Sequence, residues 1–184
     1  MDVLALVISV LSLLVALVGT YLTNKRSKEA LAASQRAAVD GRWSATQEAV
    51  QRLIGFDPSA EPIKDRLADL RIAMIALVDD LPEWPELDRW LEAERILGAT
   101  YGRVVMETQD ATDDIEQQVQ NLEPLMTWAQ ALSSNLRHLR SKGHDAAALR
   151  ALAANDSDLI RQLHEKYGWE QPPTSNPRIR PLGE

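Results

Sequence analysis

The sequence predicts an all-α protein: an N-terminal transmembrane helix that continues into a stalk, then a small bundle of about four to six helices and a disordered C-terminal tail. Three observations lead to this prediction. Residues 3–22 form an uncharged apolar run, apolar residues further along the chain recur with the spacing of a helix face, and no segment shows the alternation typical of a strand.

The uncharged run extends from Val3 to Leu22 and contains 20 residues, with no proline and one glycine. A helix of this length covers about 30 Å, which is the thickness of the hydrocarbon layer of a bilayer. Because backbone groups in lipid must satisfy their hydrogen bonds within the segment, we expect the run to cross as a helix. Only Met1 and Asp2 precede it and no A-x-A site follows it, so residues 1–23 are interpreted as an anchor and not as a cleaved signal peptide.

Basic residues flank the run on its C-terminal side, at Lys25, Arg26 and Lys28. Since basic flanks stay in the cytoplasm, we expect the N-terminus outside and the remaining domain in the cytoplasm. The abundance of alanine and arginine is typical of a bacterial gene of high GC content. The predicted location is therefore the bacterial inner (cytoplasmic) membrane, and the lipid bilayer is the first predicted partner.

One face of the predicted span carries small side chains at alternating intervals of four and three residues. These residues are Ala5, Ser9, Ser12, Ala16 and Gly19. Small side chains let two helices approach closely in lipid, so the pattern predicts a homo-oligomer packed through this face. The alternative is that an alanine-rich chain shows such a stripe by chance.

Charge is distributed unevenly along the chain, whose net charge is −7. The predicted stalk, residues 24–55, has a net charge of +3, residues 56–127 have −11, and residues 128–184 have +2. This layout places basic residues beside the membrane and keeps an acidic domain away from it. No basic stripe is available to neutralise phosphates, so nucleic acid is not expected as a partner.

The acidic domain, residues 56–169, is predicted to be a bundle. A turn at 56–62 separates the stalk from a helix over 63–81, and the prolines of residues 81–86 connect this helix to a third one. We expect a turn at 108–112, with Asp110 or Thr112 as the cap of the next helix. One long helix to Leu122 is the alternative.

The C-terminal third of the chain is predicted to hold one longer helix and two short ones. The longer helix covers about 115–140, with Pro124 either bending it or beginning a new helix. The short helices cover about 146–154 and 157–167, separated by Asn155 and Asp156. The proline-rich tail, residues 170–184, is predicted to be disordered, with Pro177–Pro181 as a short motif for a partner or as an inert stretch.

No motif for catalysis, cofactor binding or metal binding is found. A calcium loop starting at Asp110 would have Ile115 and Asn121 where glycine and glutamate are needed. The three histidines lack ligand spacing, the chain has no cysteine, and no G-x-S-x-G, Walker A or G-x-G-x-x-G motif occurs. We therefore predict no catalytic site, no cofactor and no metal.

A contact surface for a protein partner is predicted at the second connection. Trp84 lies between two prolines, and an acidic group surrounds it in the sequence: Asp79, Asp80 and Glu83. The alternatives are that the tryptophan packs in the core and that the acidic residues form a solvated loop.

The function predicted from these features is that of a single-pass, membrane-anchored interaction or scaffolding protein, self-associating and without catalytic activity, with an unidentified protein partner. A first alternative is a membrane-acting effector or transport accessory whose span assembles into a pore. A second is a tethered enzyme.

Overall fold

The computed structural model describes residues 2–57, 61–110, 112 and 114–172, without the side chains of residues 2–19, 22 and 115. This part of the chain consists of five α-helices joined by turns and contains no strand, so the all-α prediction is confirmed. The helices are α1 (Asp2–Ile54), α2 (Ile63–Asp79), α3 (Pro85–Thr108), α4 (Ile115–Lys142) and α5 (Ala146–Tyr167).

The chain divides into two compact units, Met1–Gly41 and Arg42–Glu184. In the first unit the described side chains are largely exposed, as Tyr21 and Leu31 are. The division falls inside the predicted stalk of residues 24–55, because the last turns of α1 belong to the bundle. Their apolar edge is buried there, with Trp43 at 5% exposed and Val50 at 0%.

The predicted span lies mostly outside the residues whose side chains are described. For residues 2–19 the structure gives the helical backbone of α1, so the packing face (Ala5, Ser9, Ser12, Ala16 and Gly19) is not described. Among the helices as far as they are described, none combines the length and the apolar character that crossing a membrane requires. The transmembrane anchor therefore stays a prediction from the sequence.

Helix α3 lies at the centre of the bundle, in contact with α2, α4 and α5. Its inner face buries large apolar side chains, among them Leu87, Trp90 and Leu97. Two glycines on α3 allow close approach of neighbouring helices. A Cβ atom at Gly98 would lie 2.4 Å from Cη2 of Trp128 in α4, and one at Gly102 would lie 2.6 Å from Cδ1 of Leu67 in α2.

Polar contacts attach the end of α1 to α2 and α4. Thr46 Oγ1 donates to the Ala73 carbonyl oxygen in α2 at 3.2 Å. Gln51 Nε2 donates to Ser133 Oγ in α4 at 2.9 Å. Thr46 and Ser133 are both buried, so these bonds satisfy polar groups inside the bundle.

The predicted turn between α3 and α4 is confirmed, but the predicted cap is wrong. Helix α4 is capped by Asp114, whose Oδ1 accepts from the Gln117 backbone N–H at 2.8 Å. Asp110 instead accepts from the backbone and side chain of Thr112 within the turn. Pro124 lies inside α4 and does not begin a new helix.

The two predicted short helices over 146–154 and 157–167 are one helix, α5. Asp145 caps it by accepting from the Ala148 backbone N–H at 3.0 Å, and Gly168, with a φ of +66°, ends it. The prediction of a break was wrong because Asp156 is a buried core residue at 4% exposed and not part of a polar connection.

The first residues of the predicted disordered tail (170–184) contact α5. The Glu170 carbonyl oxygen lies 2.6 Å from Nδ1 of His164, and Gln171 Nε2 donates to the Arg161 carbonyl oxygen at 3.4 Å. Residues 173–184, including the Pro177–Pro181 motif, lie outside the described part of the chain.

Candidate functional site, a buried carboxyl pair

Glu94, in the middle of α3, is a carboxylic side chain inside an apolar core. It is 3% exposed. Its Oε1 accepts from Nε1 of Trp90 at 3.0 Å, and its Oε2 accepts from Nε1 of Trp128 at 2.6 Å. Since a buried carboxyl group without hydrogen bonds is strongly destabilising, the two indole N–H groups explain how the core holds it.

Asp156 brings a second carboxyl group to the same region from α5. It is 4% exposed, and its Oδ2 has no hydrogen-bond partner among the described residues. Hydrogen bonds of the carboxyl group with Asn155, Trp90 and Glu94 lower its pKa and so offset part of the cost of burial.

Burial raises the pKa of both carboxyl groups, and at Glu94 the neighbouring charge adds to the shift. Burial raises the pKa of Glu94 to about 8, the charge of Asp156 adds to the shift, and the hydrogen bonds from Trp128 and Trp90 oppose it. Burial raises the pKa of Asp156 to about 6. The pair therefore holds one proton at neutral pH, mainly on Glu94, and has one negative charge.

A cavity of about 440 Å³ lies between α3, α4 and α5 beside this pair, and we call it the acidic cavity. Its lining includes three carboxylic side chains and no lysine, arginine or histidine. The rings of Tyr101 and Trp128, 6.3 Å apart between centroids, form an aromatic wall. The other lining residues are Leu97, Pro124, Thr127, Ala131, Asn135, Leu152, Asn155 and Leu159, with Glu94, Glu123 and Asp156 as the acids.

A second cavity, of about 550 Å³, lies on the α2 side of Glu94. Glu94 and Trp128 line both cavities, but the second one also has basic residues in its lining. These are Lys64 and Arg71 from α2 and Arg95 and Arg103 from α3. Glu94 thus separates two spaces of different charge.

His164 and Trp169 form a further contact between α3 and the C-terminal end of α5. Nε2 of His164 lies 3.4 Å from Thr100 Oγ1, and Nδ1 donates to the Glu170 carbonyl oxygen. The Trp169 ring meets the His164 ring edge-on, and the Arg103 guanidinium lies 4.0 Å above the Trp169 ring. These contacts hold the residues after α5 against α3.

Part of the predicted contact surface, Trp84 and Asp80, contacts other residues of the bundle. Trp84 is half-buried between Trp43, at 6.1 Å, and His144, which stacks on it at 5.1 Å between ring centroids. Asp80 accepts from Arg42 Nε at 2.9 Å, whereas Asp79 and Glu83 are exposed. A protein partner at this surface stays a prediction.

The residues predicted to set the topology, Lys25, Arg26 and Lys28, are all exposed on α1. Lys25 lies 4.0 Å from Glu29, one turn further along the helix. An exposed ion pair of this kind contributes little to stability.

The carboxyl pair was missed in the sequence, although a signal was present. Glu94 lies four residues after Trp90 and three before Leu97, so it shares their apolar face on α3. Asp156 lies three residues after Ala153 and four before Ile160, which are buried on α5. A charged residue in apolar register on each of two helices is the pattern that indicates such a pair.

No metal centre is found among the described residues, since no group of three or more His, Cys, Asp or Glu side chains is arranged to hold an ion. No protein-family model matches the chain, and neither the curated proteins nor the solved structures include one that is significantly similar to it.

Proposed function

We propose that the chain is a single-pass membrane protein whose helical bundle is a non-catalytic interaction or scaffolding module. The observation that carries this proposal is the uncharged run of residues 3–22, which lies in α1. A helical backbone is what an apolar segment needs in lipid, because every N–H and C=O group is then satisfied within the segment.

The proposed location is the bacterial inner membrane, with the N-terminus outside and the bundle in the cytoplasm. The exposed cations Lys25, Arg26 and Lys28 support this orientation, because basic flanks are retained on the cytoplasmic side. They also suit the anionic lipid of that surface, whereas the acidic bundle is repelled by it.

The test of the anchor places charges in the middle of the uncharged run. Leu11→Arg combined with Leu14→Arg adds about 2.5–3.5 kcal/mol per substitution to the cost of insertion. We expect the wild-type chain in the carbonate-washed membrane fraction and the double variant in the supernatant. Leu31→Arg is the matched control, since Leu31 is 61% exposed on the same helix. Recovery of the wild-type chain in the supernatant refutes the anchor.

The orientation is tested by reporters fused after Glu184. A fluorescent protein that matures only in the cytoplasm is expected to be active, and alkaline phosphatase, which needs the outside compartment, is expected to be inactive. The opposite pair of results reverses the proposed topology. Substituting the three cations Lys25, Arg26 and Lys28 by glutamine is expected to weaken the preference for this orientation.

The small-residue face of the run supports a second candidate, a span that assembles into a pore. Oligomers of a single helix enclose a channel only when several copies meet through one face, and Ser9 and Ser12 would then line it with hydroxyl groups. Leakage of potassium from expressing bacteria, abolished by Ser9→Leu with Ser12→Leu, is the result that favours the pore over the scaffold.

A further inference from the structure

We propose that the second cavity, of about 550 Å³, binds an organic carboxylate with an apolar body. This cavity, which we call the basic cavity, is lined by residues of α2, α3, α4 and α5 and by Pro172. The inference is independent of the membrane anchor, because every residue that carries it lies in the bundle unit Arg42–Glu184.

The charged side chains around the basic cavity favour an anion. The lining contains four basic side chains and one acid, Glu94, although the whole chain has a net charge of −7. Burial raises the pKa of Glu94 to about 8, so this acid is mostly protonated at neutral pH. The basic residues are Lys64 and Arg71 of α2 and Arg95 and Arg103 of α3.

Two of these cations are available to a ligand. Arg95 and Arg103 each pair with a glutamate on α3. Lys64 and Arg71 have no ion pair or hydrogen bond among the described residues, and they lie two turns apart on one face of α2. A guanidinium group binds a carboxylate through two parallel hydrogen bonds, so Arg71 is the proposed anchor and Lys64 adds a second positive charge.

The walls of the basic cavity favour a ligand that is mostly apolar. Leu70 and Met74 of α2 and Trp128 of α4 line it and are buried. Ala68 and Ala99 line it from α2 and α3 and are exposed, so a ligand can enter from solvent between these helices. A volume of about 550 Å³ falls within the range of about 300–1,000 Å³ typical of small-molecule sites. An inorganic anion would leave the apolar surface uncovered.

The segment after Pro172 is the competing occupant, because Pro172 itself lines the basic cavity. Residues 173–184 contain two arginines, Arg178 and Arg180, and one acid, Glu184. A segment with this excess of positive charge does not complement a cationic lining. The charges therefore favour a separate anion over the chain's own C-terminal segment.

The test measures binding of 4-phenylbutanoate to the full chain at pH 7, in a non-ionic detergent, by equilibrium dialysis. A sample without protein in the same detergent corrects for ligand that enters the micelles. The matched ligand is 4-phenylbutan-1-ol, which has nearly the same shape and no charge. We expect the carboxylate to bind saturably and at least about tenfold more tightly than the alcohol, because only the carboxylate forms charge-assisted hydrogen bonds.

Charge variants separate the basic cavity from general attraction to cations. Lys64→Gln combined with Arg71→Gln is expected to weaken carboxylate binding at least about tenfold. The matched control is Arg89→Gln combined with Lys142→Gln, which removes one arginine and one lysine at exposed positions outside the cavity. This control is expected to change the affinity less than about twofold.

A filling variant tests the cavity without removing a charge. Ala68→Trp places a large side chain at an exposed position of the lining, so it is expected to abolish binding while the bundle still folds. Ala154→Trp, at an exposed position of α5 outside the lining, is the control and keeps the wild-type affinity.

Four results overturn the proposal. The first two are the absence of saturable carboxylate binding below about 10 mM and equal affinity for the carboxylate and the alcohol. The third is wild-type affinity in the Ala68→Trp variant or in the Lys64→Gln, Arg71→Gln variant. The fourth is a gain in affinity of at least about tenfold in a chain ending at Pro172, which would show that residues 173–184 occupy the cavity.

Discussion

At the scale of single residues, Glu94 lowers the stability of the bundle, because a carboxyl group must lose its water to be buried there. A leucine at this site would fill the same space without a charge to desolvate, and buried ionisable groups are often less stabilising than apolar ones. The structure instead places two tryptophan N–H groups on the carboxyl oxygens. Such an arrangement makes the stability of the protein depend on pH.

The first prediction concerns that dependence. The raised pKa values of Glu94 (about 8) and Asp156 (about 6) mean that the folded state binds more protons than the unfolded state. Their contribution to stability is therefore present in full near pH 4 and is lost as the pH rises through 6 and 8. We expect the free energy of unfolding in urea to fall by a few kcal/mol between pH 5 and pH 8.5.

Glu94→Gln tests the origin of this slope, because glutamine does not titrate. The variant loses one acceptor for a tryptophan N–H, so it is expected to be less stable than wild type at pH 5 and to show a flatter pH profile. Glu165→Gln, at an exposed position on α5, is the control and keeps the wild-type slope. An unchanged slope in Glu94→Gln would contradict the assignment of the proton to the pair.

The second prediction compares two glycines in helices. A methyl group at Gly98 collides with the buried ring of Trp128, so Gly98→Ala is expected to lower stability by about 1–3 kcal/mol. Gly41, in α1, has open space around it, and Gly41→Ala is expected to raise helix stability by about 0.5–1 kcal/mol. Thermal unfolding followed by circular dichroism separates the two signs, and a stabilised Gly98→Ala would refute the close approach of α3 and α4.

At the scale of elements, the helix starts depend on aspartate side chains. Asp114 and Asp145 each accept a hydrogen bond from a backbone N–H in the first turn, of α4 and α5 respectively. These N–H groups have no partner within the helix, and a carboxylate there also interacts favourably with the helix dipole.

The third prediction follows from these caps. Asp114→Ala and Asp145→Ala are each expected to destabilise the bundle by about 0.5–2 kcal/mol. Asp158→Ala removes an aspartate whose ion pair with Arg161 is exposed, so its expected effect is below about 0.5 kcal/mol. Equal effects for the three variants, measured by urea unfolding, would show that the caps contribute nothing specific.

Periodicity in the sequence was sufficient to locate four of the helices, and it failed at one point. The apolar register of α2, from Ile63 to Leu77, is that of the buried face in the structure. In α5 the adjacent polar residues Asn155 and Asp156 resemble a connection, and a charged residue is seldom placed in a core. The helix continues because Asp156 lies on the face of α5 that is buried in the bundle, together with Ala153 and Ile160.

At the scale of the whole molecule, the sequence could not predict the candidate site. The acidic cavity combines residues of α3, α4 and α5, and two of its acids, Glu94 and Asp156, are 62 positions apart in the sequence. Residues this far apart do not form a local sequence motif. The close packing that shapes the cavity depends on Gly98, whose role becomes visible only when Trp128 is placed against it.

The fourth prediction concerns assembly through the small-residue face. Replacing Ser9, Ser12, Ala16 and Gly19 by leucine prevents close approach of two spans, so we expect the signal in a membrane two-hybrid assay to fall. The matched control replaces valines on the opposite face of the same helix by leucine. These control positions are Val7, Val10 and Val18. A signal that is equal in both variants would exclude this face as the contact.

The contacts of Trp169 with His164 of α5 and Arg103 of α3 affect the choice of fragment boundaries. Trp169 covers the imidazole of His164 and lies under Arg103, so a recombinant fragment ending at Gly168 would leave aromatic and cationic surfaces bare. Exposed rings of this kind promote aggregation at the concentrations needed for crystals or spectra. A fragment intended for such work is best extended through Pro172, four residues beyond the helix terminator.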